Sequence, residues 1–248
     1  MTTLVLLHAF PLDSTMYDAM RAPLSGVCEV VTPDLPGWGV QRALPVETPS
    51  LDVYADAVAA LLDEQGLDDV VLGGTSMGGY TTMAFLRRHP GRVKGVALID
   101  TKASADAPPA VEGRLAMAAR LDAEGTPEQL LDVTFPNLLG ASTFAGRPDV
   151  VDDLRRRVEQ APVASAAWAQ RAMAARLDSL DVLRATAVPA LVVVGEEDVL
   201  SPPDDARAMA GALIAAELVV LPSVGHLTPL EAPDDVAAAL TAFLARVG

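Results

Sequence analysis

A chain of 248 residues that is 51% hydrophobic, 21% charged and 4% aromatic has an ordinary globular composition, which excludes a disordered, collagen-like or membrane-embedded class. Its 18 Lys+Arg against 33 Asp+Glu give a net charge of −15. With no basic run longer than Arg155-Arg156-Arg157, neither a nucleic acid nor an anionic membrane is an expected partner.

A single cysteine, Cys28, and three histidines, His8, His89 and His226, exclude an intramolecular disulfide and a Cys/His zinc site. The first basic residue is Arg21. The charged start of a secretory signal is therefore missing, and the expected location is cytoplasmic.

Short apolar runs bounded by Gly, Pro or Asp alternate with longer stretches of helical period, the pattern of a parallel sheet covered on both faces. In chain order the expected strands are Leu4–His8, Glu29–Thr32, Val70–Gly74, Val93–Ile99, Ala190–Val194 and Leu218–Leu221. Between them Asp52–Gln65, Met77–Arg88, Asp204–Ala215 and Asp234–Val247 read as helices, supported by Ser50 before the first, Pro90-Gly91 after the second and Pro202-Pro203 before the third. The expectation is an α/β fold of about six parallel strands in one domain over residues 1–248. Residues 103–183 break the rhythm. They are rich in Ala, Arg and Asp and contain no convincing strand, so they are expected to form a helical cap inserted between two core strands.

The sharpest motif is Gly74-Thr75-Ser76-Met77-Gly78-Gly79, placed between an expected strand and an expected helix. A serine on such a tight turn is held exposed, and the residues two before and two after it must be small because strand and helix pass close together. The helix start also offers free N–H groups to a developing oxyanion, the N–H of Met77 among them.

A hydroxyl becomes a good nucleophile only when a base accepts its proton. His226, in the loop after the last expected strand, is the best placed histidine, at the edge where ligands collect in open parallel sheets. The base in turn needs an acid to fix its tautomer. Asp198, in Gly195-Glu196-Glu197-Asp198 after the fifth strand, fits this role best, with Glu197 and Asp100 as alternatives.

The order Ser76, Asp198, His226 resembles that of the α/β-hydrolase family, and the likeness extends over nearly the whole chain. His8-Ala9-Phe10 is similar to the family's His-Gly segment, and Asp34-Leu35-Pro36-Gly37-Trp38-Gly39 to its D-x-P-G-x-G loop. The nearest likeness within the family is to small cofactor-free esterases, enol-lactonases and non-haem haloperoxidases. The resemblance implies a second oxyanion donor, the backbone N–H of Phe10. Two departures stand out: Ala9 replaces the family's glycine, and the first strand corresponds to the family's third. A wholly parallel sheet without the antiparallel edge hairpin is therefore expected.

These residues predict a serine hydrolase that cleaves a small-molecule carboxylic ester or lactone through an acyl-enzyme, a mechanism that implies no metal or organic cofactor. A C–C bond hydrolase, an acyltransferase or a ligand-binding protein without turnover are the alternatives. Trp38, Phe135, Phe144 and Trp168 are expected to line the substrate pocket, with plain core packing as the competing reading for each. His8 and His89 read as structural, and Arg155-Arg156-Arg157 as a solvated helix face. The sequence carries no heptad seam that would announce a subunit interface.

Overall fold

The computed structural model describes residues 2–46 and 48–247. In chain order the strands are β1 Thr3–Leu7, β2 Glu29–Val31, β3 Val70–Thr75, β4 Val93–Ile99, β5 Ala190–Gly195 and β6 Ala216–Leu221. The helices are α1 Asp18–Leu24, α2 Leu51–Glu64, α3 Met77–Arg88, α4 Pro108–Glu124, α5 Ala141–Gly146, α6 Pro148–Glu159, α7 Val163–Ala174, α8 Leu180–Ala185, α9 Pro203–Ala212, α10 Thr228–Glu231 and α11 Pro233–Val247.

The six strands form one sheet in the order β2-β1-β3-β4-β5-β6, and every neighbouring pair is parallel. β1, β3 and β5 are buried along their whole length, whereas the edge strands β2 and β6 are mostly half-buried or exposed. This explains why the central strands read as continuous apolar runs: helices cover both of their faces, so neither face needs polar residues.

The order reverses at β1. The chain leaves β1 for β2 on one side and returns to build β3 to β6 on the other. A crevice opens at the carboxyl ends of β1 and β3, where the connections diverge, and it is there that the chain places Phe10 and Ser76.

Two helices show how the sequence sets the frame. α2 buries Leu51, Tyr54, Ala55, Val58, Ala59 and Leu62, a single apolar stripe, and its first turn is capped by Ser50, whose hydroxyl accepts the Asp52 N–H at 3.2 Å. α3 is buried from Met77 to Leu86. It carries few large polar groups there, and the hydroxyls of Thr81 and Thr82 donate back to the carbonyls of Met77 and Gly78 at 3.0 and 2.9 Å.

Between β4 and β5 the chain is helical, α4 to α8, with no strand among the described residues. α4 begins with Pro108-Pro109 in its first turn, where a missing N–H costs nothing. Its buried residues Met117, Ala118 and Leu121 belong to the same core as Ala166, Ala169 and Met173 of α7, and small side chains allow a close helix pair. Among the described residues, no helix is long and apolar enough to cross a membrane.

The main differences from the expected elements lie at their ends and in short helices. β1 stops at Leu7, and His8 just beyond it hydrogen-bonds with Leu35 N and Ala9 O. α9 ends at Ala212, not Ala215, and β6 begins at Ala216. α1 was not anticipated. Pro23 near its end and its seven-residue length leave little periodic signal.

Candidate active site

Ser76 occupies the turn between β3 and α3 with φ 54° and ψ −111°, a left-handed conformation that is strained for a residue with a side chain. The backbone around it holds that conformation. Its N–H donates to Ile99 O at 3.0 Å, and its carbonyl accepts from Thr101 Oγ1 at 2.9 Å and from Tyr80 N at 3.1 Å. The flanking glycines are obligatory. A Cβ on Gly74 would stand 2.2 Å from Gly78 C, and one on Gly78 would stand 1.9 Å from Leu7 O.

His226 approaches from the loop after β6. Its Nε2 lies 2.8 Å from Ser76 Oγ, and its Nδ1 lies 2.8 Å from Asp198 Oδ2. An ionised carboxylate only accepts, so Nδ1 carries the proton and Nε2 is left to accept from the serine hydroxyl. Ser76 is 8% exposed, and Asp198 and His226 are each 3% exposed. Burial by itself would raise the Asp198 carboxyl, but the His226 imidazole and the N–H groups of Ser201 and Leu200 hold it below the usual carboxylate range.

Asp198 is fixed by its own turn. Its Oδ1 accepts from Leu200 N at 2.8 Å and Ser201 N at 3.0 Å, while Ser201 Oγ donates to Oδ2 at 2.9 Å and stands 3.2 Å from His226 Nδ1. The two alternative acids are engaged elsewhere. Glu197 accepts from Ser142 N at 2.8 Å and Ser142 Oγ at 2.5 Å. Asp100 accepts from Gly195 N at 3.2 Å and from Thr228 N and Oγ1 at 2.8 and 2.7 Å. Its total burial, and then the nearby Asp198 charge, push the Asp100 carboxyl well above its ordinary value.

Glu231, at the end of α10, is a further buried acid that the sequence did not single out. Its Oε1 accepts from Gly225 N at 2.9 Å and Leu227 N at 3.2 Å, the two neighbours of His226. Its Oε2 accepts from Gly140 N at 2.9 Å and Thr143 Oγ1 at 2.6 Å. One side chain thereby joins the histidine loop to the helical segment between β4 and β5.

Beside Ser76 the N–H of Met77 is the first of α3 and has no acceptor within the helix. Phe10, 6% exposed, lines the same cavity as Ser76 and His226. Its loop is braced by His8: the Leu35 N–H donates to His8 Nε2 at 3.0 Å, so Nδ1 bears the proton and donates to Ala9 O at 3.1 Å. Burial lowers the His8 pKa accordingly. With both ring nitrogens engaged His8 is structural, and so is His89, whose Nε2 is 2.8 Å from Asp56 Oδ1 at the end of α3.

The cavity at Ser76 has a volume of about 370 Å³. Its apolar wall is made by Phe10, Met117, Val133, Leu138, Met173 and Leu200, and its polar wall includes Lys102, Asp106, Arg114 and Gln170. A larger depression of about 750 Å³, between residues 31–42 and α2, holds neither Ser76 nor His226.

The four aromatics expected in the pocket stand outside it, each committed to another ring. Trp38 is buried, donates Nε1–H to Tyr54 OH at 3.0 Å and meets Phe10 edge-on at 5.9 Å, so it supports the cavity from behind. Trp168 packs on Tyr54 at 4.9 Å. Phe135 and Phe144 pair edge-to-face at 5.7 Å, with the Arg155 guanidinium over Phe135. The aliphatic residues that do line the cavity, Met117, Val133, Leu138, Met173 and Leu200 among them, have an apolar character that gives no signal separable from core. Arg156 and Arg157 pair with Asp153 and line no part of the cavity.

A family model described as alpha/beta hydrolase family matches residues 4–239. A thermophilic esterase from Thermogutta terrifontis, solved with malate bound, superposes with a TM-score of 0.95 at 39% identity, covering 100% of this chain and 90% of that one. The enol-lactonase of Burkholderia xenovorans LB400 superposes with a TM-score of 0.88 at 26% identity, over 98% and 91%. A pimeloyl-[acyl-carrier protein] methyl ester esterase of Nitrosospira multiformis is 28% identical over 97% of this chain and 93% of its own length. The dihydrolipoyllysine-residue acetyltransferase component of the acetoin cleaving system of Pseudomonas putida is 30% identical over 99% of this chain, which spans only 64% of that protein's length. With six parallel strands in this order, a serine on the turn after β3 and a family match over nearly all of its residues, the chain belongs to the alpha/beta hydrolase family.

Proposed function

We propose that this protein is a cytoplasmic serine hydrolase of small carboxylic esters or lactones, working through an acyl-enzyme. The observation that carries the reading is the continuous relay from Ser76 Oγ to His226 Nε2 and from His226 Nδ1 to Asp198 Oδ2, both at 2.8 Å. Ser76 Oγ attacks the substrate carbonyl while its proton passes to His226 Nε2. The tetrahedral oxyanion is held by the N–H groups of Met77 and Phe10, and the positive end of α3 adds to its stabilisation. Collapse of the intermediate expels the alcohol, protonated by His226, or opens the lactone ring. Water, deprotonated by the same nitrogen, then releases the acid. Asp198 keeps the imidazole in the productive tautomer and stabilises its cationic form.

In this reading residues 103–183 act as the cap of a single domain. Met117, Val133, Leu138 and Met173 come from this segment to the cavity wall, which suits an apolar acyl or alkyl group of modest size in about 370 Å³. The esterase and enol-lactonase among the solved relatives support ester and lactone carbonyls as the substrate class.

The test is intact-mass labelling with a fluorophosphonate, on the protein and on Ser76→Ala, together with turnover of p-nitrophenyl esters of increasing chain length. One adduct and multiple turnovers that both vanish with Ser76 are expected. A folded protein that takes no label and turns over no ester would overturn the reading in favour of a binding protein. Product transferred to an added alcohol or thiol in excess of hydrolysis would make it an acyltransferase.

A further inference from the structure

Three cations converge on one carboxylate in the wall of the Ser76 cavity. The Asp106 side chain, 2% exposed, lies 2.6 Å from Arg114 Nε, 2.8 Å from Arg176 Nη2 and 3.4 Å from Lys102 Nζ. Burial alone would raise its pKa, yet Arg114, Arg176 and Lys102 together lower it. One negative charge leaves two positive charges unbalanced. Asp205, in the first turn of α9, feels Lys102 and Arg176 from farther away, and among the described residues no ion pair joins it to either.

The three cations are not equivalent. Arg176 is buried away from the cavity: its side chain is 4% exposed, two of its nitrogens engage Asp106 and Ser104 O, its Nε has no partner among the described residues, and its guanidinium lies 4.3 Å from the centre of the Tyr80 ring. Lys102 and Arg114 keep 21% and 22% of their side-chain surface and line the same cavity as Ser76 and His226. Lys102 follows Thr101, whose hydroxyl holds the Ser76 carbonyl, so the charge is tied closely to the nucleophile's turn. Arg114 contacts Asp106 through Nε and Gln170 Oε1 at 3.3 Å through Nη1, and among the described residues Nη2 has no acceptor.

A latch that only fastened α4 and the chain after α7 to the end of β4 would need one cation for its one carboxylate. Surplus cations in a partly desolvated wall are costly unless an anion joins them. The surplus also stands out on a chain whose net charge is −15. We infer that Lys102 and Arg114 form an anion subsite, and that the preferred substrate is an ester or lactone bearing a second, ionised carboxylate. The free Nη2 of Arg114 can donate to a carboxylate oxygen, and the Lys102 ammonium adds a point charge beside it. This inference rests on the hydrolase reading for the reaction, though not for the binding.

The test compares kcat/KM within matched pairs. One pair, mono-p-nitrophenyl adipate and p-nitrophenyl heptanoate, places the carboxylate on the acyl side. The other, 4-acetoxybutanoate and pentyl acetate, places it on the alcohol side. The wild type is expected to prefer the charged member of one pair, and salt at about 0.5 M should weaken that preference. In Lys102→Met/Arg114→Met the charged-to-neutral ratio should fall on the order of tenfold to a hundredfold, the range of hydrogen bonds to charged groups. Arg114→Lys should restore part of it. A latch would lower both members alike, so an unchanged ratio overturns the subsite, as does a wild type that favours the neutral member of both pairs. Calorimetric titration of Ser76→Ala with the same compounds needs no turnover. If the fluorophosphonate test fails while binding that depends on the carboxylate persists and is lost in the double Met variant, the subsite stands and the hydrolase reading falls. If Ser76→Ala binds the charged and neutral compounds equally, the subsite falls whatever the labelling shows.

Discussion

His226 Nε2 lies 2.8 Å from Ser76 Oγ across 150 residues of sequence. Behind it, Asp198 alone among the acids near this edge contacts the imidazole, and its Oδ2 is shared with Ser201 Oγ. Asp198→Asn would present an amide N–H to Nδ1 and favour the wrong tautomer. A fall in kcat on the order of 10³- to 10⁴-fold is expected, with fluorophosphonate labelling slowed in parallel. Asp100→Asn, which leaves the Asp198–His226 contact in place, should cost on the order of tenfold at most. The reverse ranking in steady-state kinetics of the two variants would move the acid's role to Asp100.

Glu231 sets where that histidine can sit. Both neighbours of His226 donate to Oε1, and Gly140 and Thr143 donate to Oε2. In Glu231→Gln the amide oxygen can keep the Gly225 and Leu227 N–H groups while the NH₂ donates to Thr143 Oγ1, but the buried Gly140 N–H then loses its acceptor, at a cost of about 1–3 kcal/mol. The loop that carries His226 should relax with it. kcat is expected to fall on the order of tenfold to a hundredfold with KM little changed, since substrate contacts are untouched while the proton acceptor is misplaced. A variant with a lowered melting temperature and full kcat would reduce Glu231 to a structural brace.

Asp100 and Asp198 pull the pH dependence of stability in opposite directions. The Asp198 carboxyl is held below its unfolded value, so its contribution is present above about pH 4 and is lost as pH falls through the lower folded value. The Asp100 carboxyl is held well above its unfolded value, by burial and then by Asp198. Its contribution is full below about pH 4 and is lost as pH rises through the folded value. Asp100→Asn removes the second dependence only. The urea midpoint of this variant should therefore gain on the wild type between pH 5 and pH 8, whatever its absolute level. A difference that stays constant over that range would show that Asp100 does not resist ionisation in the folded protein.

The sequence announces what is local and periodic. The four central strands were legible because strands buried on both faces are short runs of Val and Leu between turn residues, and the edge strands β2 and β6, though mostly half-buried or exposed, carry the valine pairs Val30-Val31 and Val219-Val220. Ser76 was legible because steric demand writes glycine at fixed offsets around it, and the order of Ser76, Asp198 and His226 follows from which strand ends carry them. What was not legible depends on groups far apart in the chain. Arg114 reaches Asp106 from α4 and Arg176 from the segment after α7, and nothing in the spacing of those residues marks a cluster. Trp38, Phe135, Phe144 and Trp168 have the composition of a pocket wall, but each found a neighbouring ring in the core. Glu231 lies five residues beyond His226 on a one-turn helix. Such an acid looks like a solvated helix residue until the fold buries it.

Two glycines in helices should respond oppositely to the same added methyl group. Gly78 lies in the first turn of α3, where a Cβ would stand 1.9 Å from Leu7 O, 2.5 Å from Leu7 C and 2.9 Å from His8 O. All three are backbone atoms at the end of β1, the strand that carries the Phe10 loop, so relief requires α3 and β1 to separate. Gly78→Ala should lose more than about 4 kcal/mol, or fail to accumulate as folded protein, because no side chain can move aside. Gly211, near the end of α9, meets nothing within 4 Å. There the methyl only restricts the unfolded chain and favours the helix, so Gly211→Ala should gain up to about 1 kcal/mol, or about 2–4 °C in melting temperature for a domain of this size. Thermal melts of the two variants beside the wild type read both effects. A Gly78→Ala protein that melts with the wild type and still takes the fluorophosphonate would mean that α3 does not press on β1 as closely as these distances require.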